Sequence, residues 1–282
     1  MGIVIGTLIL NEMEWLSLLW DQHRFWPELE KWVFVEAADR VYATINPHLV
    51  SDNGLSVDGT TQFLQFLAQS DKRVQYVPYG FTEHADPARC KQYARQVYFD
   101  VAAELQPEAV IVLDADEFYT RDDQRRVNDL FREHPEYEAF IIPKREIWHP
   151  PSVAHEPLFS YEAVRGFWGI PCCHLWRWRP GVGYKTCHVT PESADGIPLN
   201  HLAAHYQTDF TMPQMVHLGF ASEAKTREAK NNYYSARGEA MDPKRLWYVN
   251  SRRAFSEWQL GQKLPHGARV VEYSGPIPEV FR

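Results

Sequence analysis

Three acidic residues, Asp114, Asp116 and Glu117, directly follow the apolar run 109–113. An uninterrupted run of this kind predicts a strand that is buried on both faces, and ligands of open α/β sheets bind at the carboxyl ends of such strands. Because side chains alternate along a strand, we expect Asp114 and Asp116 to face the same point. Two carboxylates roughly 4 Å apart repel each other by about 4 kcal/mol in a partly buried site. A divalent cation removes this cost, and carboxylates with substrate phosphates are the usual ligands of Mg²⁺ and Mn²⁺.

The alternative interpretation is a solvated acidic turn that follows a core strand. Phe118 and Tyr119 argue against this alternative, because they close the acidic cluster with apolar side chains. The metal hypothesis makes a geometric demand: the two carboxylates must not point away from each other, and they must not be plugged by an internal arginine with no cavity alongside.

The composition is that of an ordinary globular chain. It has 282 residues, of which 45% are hydrophobic, which is enough for one large core. With 37 acidic and 29 basic residues, a net charge of −8 and no Lys or Arg run, the basic surface of a nucleic-acid binder is missing. The apolar run 2–10 lacks a basic leader and is too short to span a bilayer. We therefore expect no transmembrane segment and no nucleic-acid partner.

The cysteines predict a reducing compartment, and we expect a cytoplasmic protein. Four are present, none in a CxxC pair, which is too few for a disulfide scaffold. A zinc site is an alternative, drawn from Cys172, Cys173, His174, Cys187 and His188. Adjacent cysteines on a strand point to opposite faces, however, and cysteine is commonly a small buried hydrophobe.

Apolar periodicity predicts alternating strands and helices through the first half of the chain. A strand, a helix and a second strand, over 3–10, 11–26 and 32–36, form a βαβ unit. Further strands are predicted over 72–78, 109–113 and 138–143, and helices over 61–69, 86–105 and 121–134. The predicted fold class is therefore α/β, with a mostly parallel, Rossmann-like sheet that is flanked by helices.

Two further groups of charged residues are placed beside the acidic cluster. Lys91 and Arg95, four residues apart, share one helix face and are predicted to clamp phosphate; a solvated helix face is the alternative. Glu36 and Asp39 follow the second strand, where a base or a ribose hydroxyl could bind, although plain turn acids explain them as well.

The second half of the chain is rich in aromatic residues. From residue 150 prolines and aromatics crowd together, and the run 175–185 predicts a hairpin with Arg177 and Arg179 on one face and Trp176 and Trp178 on the other. Exposed tryptophan and tyrosine suit sugar rings. For any single tryptophan, core packing is the alternative.

Taken together, these segments resemble the GT-A glycosyltransferases, specifically their family 2-like group. The resemblance runs from the first strand to about residue 235, and its strongest element is IVLDADEF at 111–118, which looks like the DxD motif. It implies a transferase that moves a sugar from a nucleotide-diphosphate-sugar donor to a hydroxyl acceptor, with Mn²⁺ or Mg²⁺ as cofactor. In that case Asp116 is the direct metal ligand, and Asp114 contacts the nucleotide and the metal.

Other segments resemble the family as well. ILNE at 9–12, Glu36 and the pair Ala94-Arg95 look like positions around the nucleotide, and HLGF at 217–220 looks like an H-x-G-[YF] segment. The resemblance implies nucleotide contacts from Asn11, Glu12, Glu36 and Arg95, a metal or diphosphate contact from His217, and a diphosphate neighbour in Lys225. The chain departs from the family in its long loop after the second strand and in lacking a Glu-Asp pair as catalytic base.

An inverting enzyme needs a base within reach of the acceptor hydroxyl. Glu146, just past the strand 138–143, is the first candidate, and Glu192 and Asp195 are alternatives; a retaining enzyme needs no such base. We therefore expect a nucleotide-sugar-binding half over 1–145 and an acceptor-binding and closing region over 146–282 of the same domain. The acceptor is a glycan, a small molecule or a protein.

Two other functions are weighed against glycosyl transfer. A sugar nucleotidyltransferase predicts a Gly-rich phosphate loop with a basic residue after the first strand, and LILNEMEW at 8–15 has neither. The other is a module that binds nucleotide-sugar or glycan without turnover.

Overall fold

The computed structural model of the protein describes residues 2–82, 84, 86–142, 144–147, 159–162, 174–205, 212–218, 229, 232–233, 236, 270–272 and 278–281. Its helices are α1 (Met13–His23), α2 (Arg40–Ile45), α3 (Thr60–Ser70), α4 (Pro87–Leu105) and α5 (Arg121–Glu133). Its strands are β1 (Ile3–Ile9), β2 (Leu29–Ala38), β3 (Val74–Phe81), β4 (Ala109–Val112), β5 (Glu117–Phe118), β6 (Ala139–Ile141), β7 (Lys144–Ile147), β8 (Phe159–Glu162), β9 (Leu175–Arg177), β10 (Ala203–His205), β11 (Met215–His217) and β12 (Val270–Glu272). Within these residues, no helix is long and apolar enough to cross a membrane.

The main sheet is mostly parallel, as predicted. In the described part of the chain it has seven strands in the order β10-β6-β9-β4-β1-β2-β3, and β9 alone runs antiparallel to its neighbours, β4 and β6. The carboxyl ends of β1, β2 and β4 therefore meet at one edge, where antiparallel β9 begins. Since β9 and β10 come from the region 146–282, both predicted regions contribute strands to this sheet.

Helices cover both faces of the sheet because β1, β2 and β4 are apolar on both sides. Helices α1, α3 and α5 pack on one face, and α4 packs on the other. Gly6 lets α4 come close: a Cβ atom at this position would lie 2.3 Å from the ring of the buried Tyr98.

The structure also has a smaller sheet of short strands, of which the sequence predicts only β12, as a short strand in the tail 265–281. In the described residues its order is β12-β8-β7-β11-β5. Strand β11 pairs with β5 on one side and with β7 on the other, which puts His217 in register with Glu117 and with Glu146. The sheet thus brings three distant segments together at the end of β4.

The predicted hairpin over 175–185 is wrong. Residues 175–177 form β9 in the middle of the main sheet, where Trp176 is fully buried, so core packing explains this tryptophan. Arg177 is buried as well, and its guanidinium donates to Glu108 Oε1 at 3.0 Å and to backbone carbonyls, including that of Phe131 at 2.8 Å. Most of the aromatic-rich stretch after residue 150 lies outside the described residues.

His23, at the end of α1, is a core histidine that is held in one neutral tautomer. The backbone N–H of Tyr119 donates to Nε2 at 3.0 Å, so Nδ1 carries the hydrogen and donates to the carbonyl of Leu19 at 3.0 Å. Burial lowers the pKa of His23 from 6.5 to about 3, against a smaller opposing effect of the bond to Leu19.

This histidine makes the stability of the fold depend on pH. Between pH 6.5 and 3 the unfolded chain binds a proton at His23 and the folded chain does not, so the free energy of unfolding falls as pH falls. At pH 5 we expect a loss of about 2 kcal/mol relative to neutral pH from this group. Urea unfolding of His23→Gln should show a lower stability at pH 7 but a shallower decline towards pH 5. His48→Asn, at an exposed position, is the control, and an unchanged decline in His23→Gln would contradict this role.

Candidate functional site

The acidic residues after β4 lie on a tight turn. Strand β4 ends at Val112, and the N–H of Glu117 donates to the carbonyl of Asp114 at 3.0 Å, while the Asp114 N–H donates to Glu117 Oε2 at 3.0 Å. The expectation that strand alternation orients Asp114 and Asp116 is therefore wrong, because the turn places these side chains. The Glu117 side chain is fully buried and shapes the turn from inside.

Asp114 is paired with a buried arginine but stays open to solvent. Its Oδ1 lies 3.3 Å from Arg95 Nη2, and its side chain is 38% exposed, against 12% for Arg95. Burial alone would lower the pKa of Arg95, but the neighbouring carboxylate of Asp114 makes the largest opposing contribution and the pKa lies above its ordinary value. Arg95 therefore stays charged. Its positive charge offsets part of the negative charge of Asp114, and the Asp114 carboxylate stays accessible to solvent.

Asp116 has a different partner. Its side chain is 9% exposed, and Oδ2 lies 3.5 Å from Nε2 of His217. The backbone repeats this proximity, since the N–H of Leu218 donates to the carbonyl of Asp116 at 2.8 Å. Asp116, on the turn, thus lies next to His217, on β11. The sequence predicted both as metal contacts although they are about a hundred residues apart.

Carboxylate oxygens on this turn suit a hard cation such as Mg²⁺ or Mn²⁺. Among the residues that the structure describes, no group of three or more His, Cys, Asp or Glu side chains is arranged to hold a metal ion. A cation here would need further ligands from water or from substrate phosphates, which is the ordinary arrangement for Mg²⁺. The turn by itself would supply only part of the ligand set of such a cation.

His174 lies against the acidic turn, a position that the sequence did not predict. It directly precedes β9, and its Nδ1 lies 3.0 Å from Oε2 of the buried Glu117. The sequence suggested His174 only as part of a zinc set with Cys172 and Cys173, which lie outside the described residues. Its position follows from the antiparallel direction of β9, which brings the start of this strand to the end of β4.

Asn11 and Glu12 lie at the carboxyl end of β1 and hold the following loop. Asn11 has a positive φ of 53°; its N–H donates to Ser56 Oγ and its Oδ1 accepts from the Val57 N–H, both at 2.9 Å. The N–H of Glu12 donates to Thr60 Oγ1 at 3.1 Å. Both residues therefore fix the loop 49–60 against the edge of the sheet.

Glu36 is fully buried at the end of β2 and serves the same loop. Its Oε1 accepts from the Ser56 N–H and the Thr61 hydroxyl, both at 2.7 Å, and its Oε2 accepts from the Tyr76 hydroxyl. Burial, and then this bond, raises the pKa of Tyr76. Asp39 caps α2 by accepting from the Tyr42 N–H at 2.8 Å.

The remaining predicted residues lie on several different elements of the structure. Lys91 is half-buried on α4, one turn before Arg95, and Glu146 lies on β7. Glu192 is buried and accepts from the N–H of Thr186 at 3.1 Å, whereas Asp195 is exposed. Lys225 lies outside the described residues.

Comparison with known proteins gives similarity of structure only. No protein-family model and no curated protein sequence matches the chain. Among solved structures, S. aureus TarS matches with 10% identity and a TM-score of 0.44, over 90% of this chain and 44% of TarS. A shorter S. aureus TarS chain in complex with UDP-GlcNAc matches with 13% identity and a TM-score of 0.45, over 90% and 73% of the two chains. A mannosyltransferase from Pyrobaculum calidifontis in complex with GDP-Man and Mn²⁺ matches with 16% identity and a TM-score of 0.41, over 90% and 69%. These identities and scores leave the activity of this chain to be argued from its own residues.

Proposed function

We propose that the protein is a metal-dependent glycosyltransferase that uses a nucleotide-diphosphate-sugar donor and a hydroxyl acceptor. The observation that supports this proposal best is the acidic turn at the end of β4, in the middle of a mostly parallel sheet. Asp114 remains open to solvent there, and Asp116 lies against His217. Ligands of such sheets bind outside the carboxyl ends of the strands.

Each site residue has a role in this proposal. Asp116 and His217 would hold Mn²⁺ or Mg²⁺, and Asp114 would orient the nucleotide beside it. When bound, the cation supplies Lewis-acid stabilisation of the charge that builds on the departing diphosphate. Lys91 and Lys225 are the cations proposed for the same diphosphate.

The loop 49–60 would form the nucleotide side of the site. Asn11, Glu12 and Glu36 hold it at the ends of β1 and β2 through bonds of 2.7–3.1 Å. These residues act through the loop they position, since the carboxylate of Glu36 is fully buried. Glu146, in register with His217, is the proposed base for the acceptor hydroxyl.

A panel of nucleotide-sugars with Mn²⁺ tests the proposal. A donor at 100 times its Kd is expected to stabilise the fold by about 2.7 kcal/mol, measured as a thermal shift that EDTA removes. Slow release of nucleoside diphosphate without acceptor identifies a transferase. Release of pyrophosphate from a nucleoside triphosphate and a sugar phosphate identifies the nucleotidyltransferase, and a shift without turnover identifies the binding module. The absence of a metal-dependent shift with every donor would overturn the donor site.

A further inference from the structure

One face of α4 forms hydrogen bonds with a single segment of the chain, residues 184–188. Three polar residues on this face, Gln92, Arg95 and Gln96, follow each other at helical spacing, and each bonds to the backbone of residues 184–188. Gln92 Nε2 donates to the carbonyl of Tyr184 at 3.2 Å, Gln96 Oε1 accepts from the Tyr184 N–H at 2.6 Å, and Arg95 Nη1 donates to the carbonyl of His188 at 2.8 Å. Helix α4 thus holds this segment by its main chain.

The 184–192 segment is also braced from within. Gly183 and Glu192 exchange two backbone hydrogen bonds of 3.1 and 2.8 Å, and the buried carboxylate of Glu192 accepts from the N–H and the hydroxyl of Thr186. The sulfur of Cys187 accepts from the N–H groups of the next turn. The segment therefore behaves as one unit, whose position is set by α4.

Arg95 connects this unit to the acidic turn. Its Nη1 holds His188, its Nη2 holds Asp114 Oδ1 at 3.3 Å, and its Nε is buried without a hydrogen-bond partner among the described residues. The Arg95 side chain is only 12% exposed, and Nη1 and Nη2 already bond within the protein. It therefore has few accessible N–H groups that could bind a phosphate.

We infer that Arg95 is a positioning residue, which docks the 184–192 segment against Asp114 so that this segment forms one wall of the site. The inference rests on the proposed function only in naming that site the donor site. Thr186 and Cys187 are exposed on this wall. The prediction that Arg95 clamps phosphate is thereby replaced, and of the pair Lys91 alone keeps that role.

Arg95→Lys separates the two roles of Arg95. Lysine keeps the charge but lacks the rigid fork with which Arg95 bonds two partners at once. For a positioning residue we expect faster hydrogen exchange of the 184–192 amides together with a fall in kcat/KM by about 10²-fold. For a phosphate ligand the exchange rates stay as they are and KM rises, which would overturn the inference. Arg179→Lys, half-exposed, is the matched control and should change neither.

Gln96→Ala tests the same wall without touching Asp114. It removes the acceptor for the Tyr184 N–H, so we expect faster exchange near Tyr184 and a smaller fall in kcat. Faster exchange with unchanged kcat would show that the segment is not part of the site. Hydrogen exchange needs no substrate: if no donor binds the wild-type protein, the proposed function fails, and the exchange rates of Arg95→Lys still decide whether Arg95 docks the segment.

Discussion

Asp116→Asn is expected to abolish Mn²⁺-dependent donor binding while the melting temperature stays within about 4 °C, the shift that corresponds to about 1 kcal/mol. The substitution removes a charge and keeps the volume. The side chain of Asn keeps the shape that lies against His217, whose Nε2 is 3.5 Å from Asp116 Oδ2. A cation that is shared between Asp116 and a diphosphate loses a charged ligand, and a neutral oxygen does not replace it.

The measurement is calorimetric titration of the donor with and without Mn²⁺, together with a thermal melt of the free variant. Asp122→Asn is the matched control, because Asp122 is 87% exposed near the start of α5. Asp114→Asn is a less clean test, since it strands the charge of the buried Arg95 and thereby costs stability. Normal binding of donor and Mn²⁺ by Asp116→Asn would refute the metal role of this residue.

The features that the sequence predicted well are those that local physics determines. Asp86 and Pro87 predicted the start of α4, and Asp86 does cap it, accepting from the Ala88 N–H at 2.9 Å. The helix ends at Leu105, as predicted. Buried runs predicted β1, β2 and β4 because continuous apolar residues are required of strands that are covered on both faces.

The features that were missed depend on distant partners. Strands β5 and β11 have two and three residues, too few for a periodic signal. They depend on pairing with distant segments, β5 with β11 across a hundred residues and β11 also with β7. The hairpin prediction over 175–185 was wrong because the alternation of tryptophan and arginine in 175–179 also fits a central strand. In that strand the buried Arg177 forms hydrogen bonds with groups in the protein interior.

The site shows the same division between local and distant effects. The acidic turn could be found from the sequence because charge directly follows apolar residues. The internal roles of Glu36 and Arg95 could not be found from the sequence. In the sequence, a glutamate that bonds to Ser56 and Thr61, or an arginine that bonds to His188, cannot be told from one that binds a ligand. Residue type and spacing predict which groups reach the edge of the sheet, and tertiary hydrogen bonds decide which of them face solvent there.

Glu146→Gln is expected to leave donor and Mn²⁺ binding intact and to reduce sugar transfer by about 10² to 10⁴-fold, the range for a lost general base. Glutamine keeps the size of the side chain but cannot accept the proton of the acceptor hydroxyl. The register of β7 with β11 places Glu146 beside His217 in the smaller sheet, which itself contacts the acidic turn. In the proposed function the base is thus a residue separate from those that bind the donor.

The anomeric configuration of the product, measured by NMR, distinguishes an inverting enzyme whose base is another residue from a retaining enzyme that needs no base. Inverted product with a normal rate in Glu146→Gln would move the base to another side chain. Retained product would remove the need for a base, because the leaving diphosphate can then take up the acceptor proton. Inverted product with the expected loss of rate, at unchanged donor affinity, assigns proton abstraction to Glu146. Under the proposed function donor binding depends on the turn after β4, so the variants at Asp116 and Glu146 should fail at different steps of one reaction.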